Sequence, residues 1–169
     1  MSDVKNLSST EAVKKLKELA ESADICQFVT NLSTLPLSAR PMSTSGVDEE
    51  GNIWFMSKEG SDKNLDIERD GQVQLFYSNN GSAEYLSVYG HAEISRDRAK
   101  IEELWSPLNK VWFTEGKDDP QITLIKVVPA DIYYWDTKNN KLVSLLKMAA
   151  SLVTGKTKDD GVRGKLKVH

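Results

Sequence analysis

A run of short β-type segments, with no long helix between the middle ones, most constrains the fold of this chain. No helix of useful length separates the third to fifth segments, and parallel strands would need such crossovers. The pattern predicts a mainly β fold, an antiparallel barrel with peripheral helices. Alternating, β-branched and aromatic residues place the six candidate strands at residues 25–31, 37–47, 53–57, 73–77, 84–94 and 122–128.

Helical patterns flank this β region. Serine and threonine before Glu11 are good N-caps, and apolar residues at helical spacing predict a helix over 10–21. A second helix is predicted to start at 95–98, and residues 142–153 form a candidate third helix. Lys58 to Glu68 is interpreted as a loop that leads into one or two helical turns.

The C-terminal part of the chain is predicted from a proline and from composition. Pro129 is expected to end the sixth strand, so that residues 131–135 form a separate strand or an extended edge. No linker or repeat divides the sequence, so we expect a single domain over 1–169 with its core at about 10–150. The Lys-, Asp- and Gly-rich residues 155–169 are expected to form a loose tail.

Composition excludes several classes of protein. The 169 residues carry a net charge of −3, which gives no basic face for nucleic acid. Cys26 is the only cysteine and lies in an apolar run, so we expect a small buried side chain in a reducing compartment. Two histidines make a His/Cys zinc site improbable. No apolar run is long enough for a signal peptide or a membrane span, so we expect a cytoplasmic protein without membrane contact.

Arg40 is the first candidate binding residue. Strand alternation places it on one face with Ser38 and Met42, and Pro41 indicates an edge or a bulge there. A planar guanidinium beside such a break suits bidentate contact with a phosphate. Considered alone, Arg40 is more readily interpreted as a solvated surface residue.

A second candidate is the turn from Ser57 to Lys63, where a strand meets a short helix. Ser57, Ser61, a glycine and Lys63 cluster there, and helix N-termini favour anions. The glycine spacing does not match a Walker A loop. The segment could therefore hold an anion or could be merely a capped turn.

The order of these motifs resembles a known family. Arg40-Pro41-Met42, an apolar strand ending in Phe55-Met56-Ser57, and then Ser61-x-Lys63 before a short helix are similar to the flavin-binding split barrel. The resemblance is to the general stress protein 26 branch of the pyridoxamine 5′-phosphate oxidase-like superfamily. Further segments that resemble this branch are Tyr85–Ala92, Trp105–Leu108, Trp112–Gly116, Asp119-Pro120 and Val128–Trp135.

The resemblance implies a six-stranded antiparallel split barrel and a homodimer with FMN at the subunit interface. Arg40 and Lys63 would contact the flavin phosphate, with Ser57 as a hydroxyl contact and Ser61 in the same turn. The isoalloxazine ring would be lined by backbone around two pairs of residues and approached by three aromatic side chains. The pairs are Pro41-Met42 and Phe55-Met56. Tyr85 would lie near the ring, Trp135 would approach it from the other subunit, and Trp112 is a further candidate for the wall that the other subunit contributes.

The chain departs from the true pyridoxamine phosphate oxidases at the substrate site. Those enzymes carry a basic segment after the closing tryptophan, whereas Trp135 is followed here by Asp136-Thr137. Small residues, Ser43 to Ser45, replace a further basic residue. We therefore expect a stress-related flavin-dependent oxidoreductase of unknown substrate and name no catalytic side chain. A non-catalytic flavin-binding or redox-sensing module and an F420-binding reductase remain alternatives, and the scarcity of histidine disfavours haem.

Overall fold

The computed structural model describes residues 3–137 and 161–169. The described parts contain three α-helices: α1 Ser9–Ala23, α2 Asp62–Arg69 and α3 Arg98–Leu104. Their strands are β1 Asp3–Val4, β2 Leu7–Ser8, β3 Ile25–Thr30, β4 Ser38–Ser43, β5 Gly46–Val47, β6 Ile53–Lys58, β7 Gln72–Asn79, β8 Glu84–Ser95, β9 Ile122–Thr137 and β10 Gly161–Lys167. Two 3₁₀ turns, Pro107–Val111 and Gly116–Asp118, follow α3.

Antiparallel pairing links the central strands in the order β4-β3-β7-β8-β9-β6-β5. Only Thr44 and Ser45 separate β4 from β5, so the two ends of this order meet in the chain. The sheet therefore curls into the split-barrel architecture, and the predicted mainly β class is confirmed. The count of six strands is only approximate, because β5 is separate from β4 and because β1, β2 and β10 extend the sheet.

The predicted helices near residues 10–21 and 95–98 are confirmed as α1 and α3. The side chain of Asp97 caps α3 by accepting hydrogen bonds from the backbone of Ala99 and Lys100. The helical turns expected before Glu68 form α2. The candidate helix at 142–153 lies outside the described residues.

The predicted break at Pro129 is wrong, because β9 runs through it for 16 residues. Pro129 pairs with Gly90 at a register shift between Tyr89 and Gly90, where the ladder does not require a regular donor. A Cβ atom at Gly90 would collide with the carbonyl oxygen of Val128. Glycine on one strand and an irregular pairing together let proline lie inside a long strand.

The prediction of a loose tail is wrong for Gly161–Lys167, which form β10. This strand pairs antiparallel with β9 and parallel with β1 and β2. Gly164 and Leu166 are buried and alternate with exposed Arg163, Lys165 and Lys167. The basic and glycine-rich composition suggested a loose tail, although the buried and exposed residues alternate with the period of two that is typical of a strand. The rest of that predicted tail, 155–160, lies outside the described residues.

The core has two parts. The main cluster fills the barrel interior and includes Phe28, Phe55, Val88 and Ile125, with α1 packed against it through Leu16. A second cluster lies on the outer face of β6 and the first half of β9, where α3 and the 3₁₀ turns cover the sheet. Its buried members are Trp54, Ile101, Phe113, Ile122 and Leu124. Within the described residues, no helix is both long and apolar enough to cross a membrane.

Candidate functional site: a cationic cradle and an aromatic cavity

The start of α2 forms the first part of the site. Gly60 has a φ of +68°, which turns the chain into the helix without the strain that a side chain would add. Ser61 occupies the N-cap position, but its side chain does not cap the helix. Its buried hydroxyl has no hydrogen-bond partner among the described residues. The first backbone N–H groups of α2 also lack intrahelical partners, so this end of the helix presents several donors to one place.

Lys63, in the first turn of α2, adds a positive charge. Burial lowers the pKa of Lys63, and the nearby Arg40 guanidinium lowers it further, while Asp62 acts in the opposite direction. Lys63 forms no hydrogen bond or ion pair with any residue in the described parts of the chain. We call Arg40, Ser61 and Lys63 the cationic cradle. Two neighbouring cations, with a hydroxyl that no described residue pairs, are a donor set that suits an anion such as a phosphate.

Arg40 enters the cradle from β4. Its Nη1 donates to the hydroxyl of Thr30 at 2.7 Å and to the carbonyl oxygen of Phe28 at 3.4 Å. Its Nη2 lies 3.7 Å from a carboxylate oxygen of Asp66 on α2. Burial lowers the pKa of Arg40, and the carboxylates of Asp66 and Asp62 oppose this shift. Arg40 is therefore a half-buried, oriented side chain rather than a solvated surface arginine.

Ser57 lies near the end of β6, and its hydroxyl already forms a hydrogen bond. It shares a hydrogen bond of 2.6 Å with the hydroxyl of Thr123, to which the side-chain amide of Asn64 donates at 2.9 Å. The amide oxygen of Asn64 is buried without a hydrogen-bond partner in the described structure. A direct contact between Ser57 and a phosphate stays a prediction. To make it, the Ser57 hydroxyl would have to give up its hydrogen bond with Thr123 or bind both groups at once.

The residues predicted to line the flavin ring through their backbone lie on two strands. Met42 and Phe55 point into the barrel core, where Phe55 packs edge-on against Phe28 with ring centroids 5.1 Å apart. Pro41 is exposed on the outer face, and Met56 packs against the second core cluster. The side chains of Met42 and Phe55 are thus committed to the core, so any ring contact from these two residues would be made by backbone.

Tyr85 and Trp135 form the second part of the site. They are opposite each other on β8 and β9, on the outer face of the sheet, and each is about two-fifths exposed, at 42% and 43%. Both line a cavity of about 700 Å³, together with Phe76 of β7 and Val162 of β10. The ring of Tyr133 lies 4.6 Å from that of Trp135. We call this space the aromatic cavity.

The cradle and the aromatic cavity are separate within one chain. Arg40 lies in register with Phe28, Leu75 and Val88, so three strand spacings of about 4.8 Å separate it from β8. Arg40 also shares the inner face of the sheet with Met42, whereas Tyr85 and Trp135 lie on the outer face. The structure therefore brings Arg40, Ser61 and Lys63 together in one place and Tyr85 and Trp135 together in another. The other predicted ring contacts, Pro41-Met42 and Phe55-Met56, lie on β4 and β6.

Trp112 lies in neither group of contacts. It follows the 3₁₀ turn Pro107–Val111 and is 67% exposed, and it is not part of the wall of the aromatic cavity. Its neighbour Phe113 is buried against Trp105 instead. The predicted role of Trp112 as a wall of the site in a second subunit stays a prediction.

Cys26 offers no nucleophile. Its side chain is buried, as predicted, and burial raises the pKa of its thiol to about 12. Because the thiolate is the reactive form, a thiol with this pKa is inert at neutral pH. Burial likewise raises the pKa of the neighbouring Tyr77, so this pair carries no acid–base chemistry near pH 7.

Comparison with known proteins identifies the family. The family model described as pyridoxamine 5′-phosphate oxidase like matches residues 11–159. Protein bli-3 of Neurospora crassa is 25% identical over 129 residues, which make up 71% of this chain and 62% of bli-3, less than two thirds of that protein. General stress protein 26 of Bacillus subtilis is 32% identical over 96 residues, 55% of this chain and 68% of that protein.

Solved structures share the fold. A crystal structure from Jannaschia sp. CCS1, named as general stress protein 26, has a TM-score of 0.77 at 24% identity and covers 93% of this chain and 98% of that chain. The general stress FMN/FAD binding protein from Xanthomonas citri has a TM-score of 0.64 at 22% identity, covering 76% and 90%. With the family match and the Bacillus subtilis relative, these findings show that the chain belongs to the pyridoxamine 5′-phosphate oxidase-like family, in the general stress protein 26 branch.

Proposed function

We propose that this chain is an FMN-binding, stress-related protein whose cationic cradle holds the flavin phosphate. The observation that carries the proposal is the buried hydroxyl of Ser61, which has no hydrogen-bond partner among the described residues and lies close to Lys63 at the start of α2, with Arg40 nearby. Buried polar groups are normally hydrogen-bonded, and a phosphate would satisfy both the hydroxyl and the two cations. The solved Xanthomonas citri relative is described as binding FMN or FAD, which supports a flavin nucleotide as the ligand.

The working form would be a homodimer with each flavin shared between subunits. The outer face of β7, β8 and the second half of β9 presents half-exposed Phe76, Tyr85 and Trp135 to solvent. Exposed aromatic patches of this kind mark interfaces and ligand sites. Because cradle and aromatic cavity are separate in one chain, a flavin whose phosphate lies in one cradle would place its ring against the aromatic cavity of the second subunit.

When bound, the flavin would supply the redox chemistry, the transfer of electrons between a donor and an acceptor. The protein's own residues would bind and orient it: Lys63 and Arg40 neutralise the phosphate, Ser61 donates a hydrogen bond, and Trp135 with Tyr85 excludes water from the ring. Among the described residues of the cavity wall, the carboxylate of Asp136 forms an ion pair with Lys15. The proposal is therefore an oxidoreductase of unknown substrate, and it names no catalytic side chain.

The proposal does not include oxidation of vitamin B6. Trp135 is followed here by Asp136 and Thr137, whereas the true pyridoxamine phosphate oxidases have a basic segment of the substrate site at this point. The proposal includes a cytoplasmic location, which rests on the single, unpaired Cys26.

A titration tests the cofactor. Ligand-free protein is titrated with FMN, riboflavin and F420, and binding is followed by quenching of the ligand fluorescence. We expect micromolar or tighter binding of FMN and weaker binding of riboflavin, which lacks the phosphate. Preference for F420 would replace FMN by the deazaflavin, and absence of binding by all three at micromolar concentration would contradict the proposal.

A second experiment separates an enzyme from a carrier. The FMN complex is mixed anaerobically with NADH or NADPH, and the flavin absorbance is followed before and after oxygen is readmitted. Bleaching and recovery support an oxidoreductase. Failure with both nucleotides favours the non-catalytic flavin-binding or redox-sensing module.

A further inference from the structure

Thr30, Arg40 and Asp66 form a clasp that ties three elements together at the cradle. Thr30, at the end of β3, is fully buried. Its hydroxyl donates to a carboxylate oxygen of Asp66 on α2 at 2.7 Å and accepts from Nη1 of Arg40 on β4 at 2.7 Å. The same carboxylate oxygen lies 3.7 Å from Nη2 of Arg40. We call this arrangement the Thr30 clasp.

The chemistry of a hydroxyl group fixes the direction of both hydrogen bonds. Threonine has one proton to donate, and a carboxylate can only accept, so that proton goes to Asp66. The lone pairs of Thr30 are then left for Arg40, which can only donate. Because Thr30 is rigid at χ1 as a β-branched residue and is wholly buried, the guanidinium is held at one end by a group that cannot move freely.

The clasp leaves part of Arg40 available to a ligand. Arginine has five N–H donors, and the hydrogen bonds to Thr30 and Phe28 both come from Nη1. The Nη2–Asp66 distance of 3.7 Å is an ion pair rather than a hydrogen bond. Among the described residues, Nη2 and Nε therefore keep donors for an incoming oxyanion, while the Asp66 carboxylate attracts the guanidinium from one side.

Asp66 follows Lys63 by three residues, so both side chains lie on one face of α2. The helix that contributes the lysine of the cradle therefore also contributes the carboxylate that holds the arginine. Displacing α2 would disturb Lys63, Ser61 and Arg40 together, although Arg40 belongs to a different element.

We propose that Thr30 and Asp66 are positioning residues that orient Arg40 for the phosphate of the flavin nucleotide. The inference rests on the proposed function. It predicts that discrimination between FMN and riboflavin depends on two side chains that act on the ligand only through Arg40. A residue that merely supports the fold would affect both ligands alike, because they share the same ring and ribityl chain.

The test measures dissociation constants for FMN and riboflavin in the full-length protein and in Thr30→Val, Thr30→Ser, Asp66→Asn and Glu68→Gln. Thr30→Val removes the hydroxyl at nearly constant volume, and Thr30→Ser retains it. Glu68→Gln is the matched control, since it removes one negative charge from the same helix at an exposed position, where Glu68 pairs with Arg96. The quantity compared is the ratio of the riboflavin constant to the FMN constant.

We expect this ratio to fall about tenfold in Thr30→Val and Asp66→Asn, the loss of one charge-assisted hydrogen bond, with riboflavin binding unchanged. Thr30→Ser and Glu68→Gln should keep the wild-type ratio. Should Thr30→Val fail to fold, Asp66→Asn, at a partly exposed residue, carries the test. An unchanged ratio in Asp66→Asn, or an equal loss for both ligands, overturns the inference.

Two other results have distinct meanings. Tighter FMN binding by Asp66→Asn would show that the carboxylate repels the phosphate instead of positioning Arg40, and would also overturn the inference. Equal affinity of the wild-type protein for FMN and riboflavin would instead show that the cradle does not bind the phosphate, and would contradict the proposed function.

Discussion

Two regions of the outer face of the barrel differ sharply. Over β6 and the first half of β9, α3 and the 3₁₀ turns bury Trp54 and Leu124, and Lys100 and Lys126 lie over the Trp54 ring at 5.2 and 5.8 Å. Over β7, β8 and the second half of β9, no described element covers Phe76, Tyr85 or Trp135. Within the described residues, one region of this outer face is thus covered by the chain and another is left apolar, which is the pattern of a surface that another molecule completes.

The largest expected effect tests the covered face. Leu124→Ala should destabilise the protein by about 2–5 kcal/mol, because it removes buried methyl groups and leaves a cavity under α3. Leu108→Ala, at an exposed apolar residue of the 3₁₀ turn, should change stability by less than about 0.5 kcal/mol. Urea unfolding measures both. Equal effects would mean that α3 does not seal this face.

The uncovered face should respond through association. Phe76→Arg places a charge in the proposed interface and should raise the dimer dissociation constant by roughly 100-fold, about 3 kcal/mol. Analytical ultracentrifugation across a concentration series measures the change. Val4→Arg, at an exposed apolar residue of β1, is the control and should leave the assembly unchanged. A wild-type chain that stays monomeric at all concentrations would refute the proposed dimer.

The main response of the cradle should be in ligand affinity. Lys63→Ala and Arg40→Ala should each weaken FMN binding by about 1.5–3 kcal/mol, roughly 10- to 150-fold, because each removes a charge-assisted contact. Lys100→Ala removes a cation on the covered face and should leave FMN affinity unaltered. Unchanged FMN affinity in both cradle variants would show that the phosphate binds elsewhere.

The smallest expected effect concerns pH. The pKa of Lys63 is lowered in the folded state, so the charged form of this residue makes folding less favourable. At neutral pH this free-energy cost is present in full. This cost disappears as pH rises through the lowered pKa towards 10.5, the value for the unfolded chain. Ligand-free Lys63→Met should therefore be more stable than wild type at pH 7, by less than about 1 kcal/mol, with the gain shrinking in alkaline buffer. Thermal unfolding at pH 7 and 10 measures it, and a gain that grows with pH would contradict this sign.

Local patterns predicted the parts of the fold that depend on neighbouring residues. Alternation along β4 placed Arg40 on one face with Met42, and helical spacing located α1. Long-range pairing defeated the same reasoning at Pro129, where Gly90 on another strand makes room, and at β10, whose partners lie in β9 and at the opposite end of the chain.

The candidate site follows the same division. Ser61 and Lys63 are close in sequence, and their residue types alone suggest an anion site. Thr30 and Asp66 carry no local signal, because their roles arise only when β3, β4 and α2 meet. The engagement of Ser57 by Thr123, 66 residues away, could not be anticipated for the same reason.

Mixed dimers test most directly whether one flavin site combines the cradle of one subunit with the aromatic cavity of the other. Lys63→Ala and Trp135→Ala subunits, carrying different affinity tags, are co-expressed, and the heterodimer is isolated and titrated with FMN. In a shared site, one of the two sites combines an intact Lys63 with an intact Trp135. We therefore predict one FMN per heterodimer bound with wild-type affinity, although both parent homodimers bind weakly. Heterodimers without a tight site would contradict the account, because a flavin site contained within one subunit would then carry a defect in both halves.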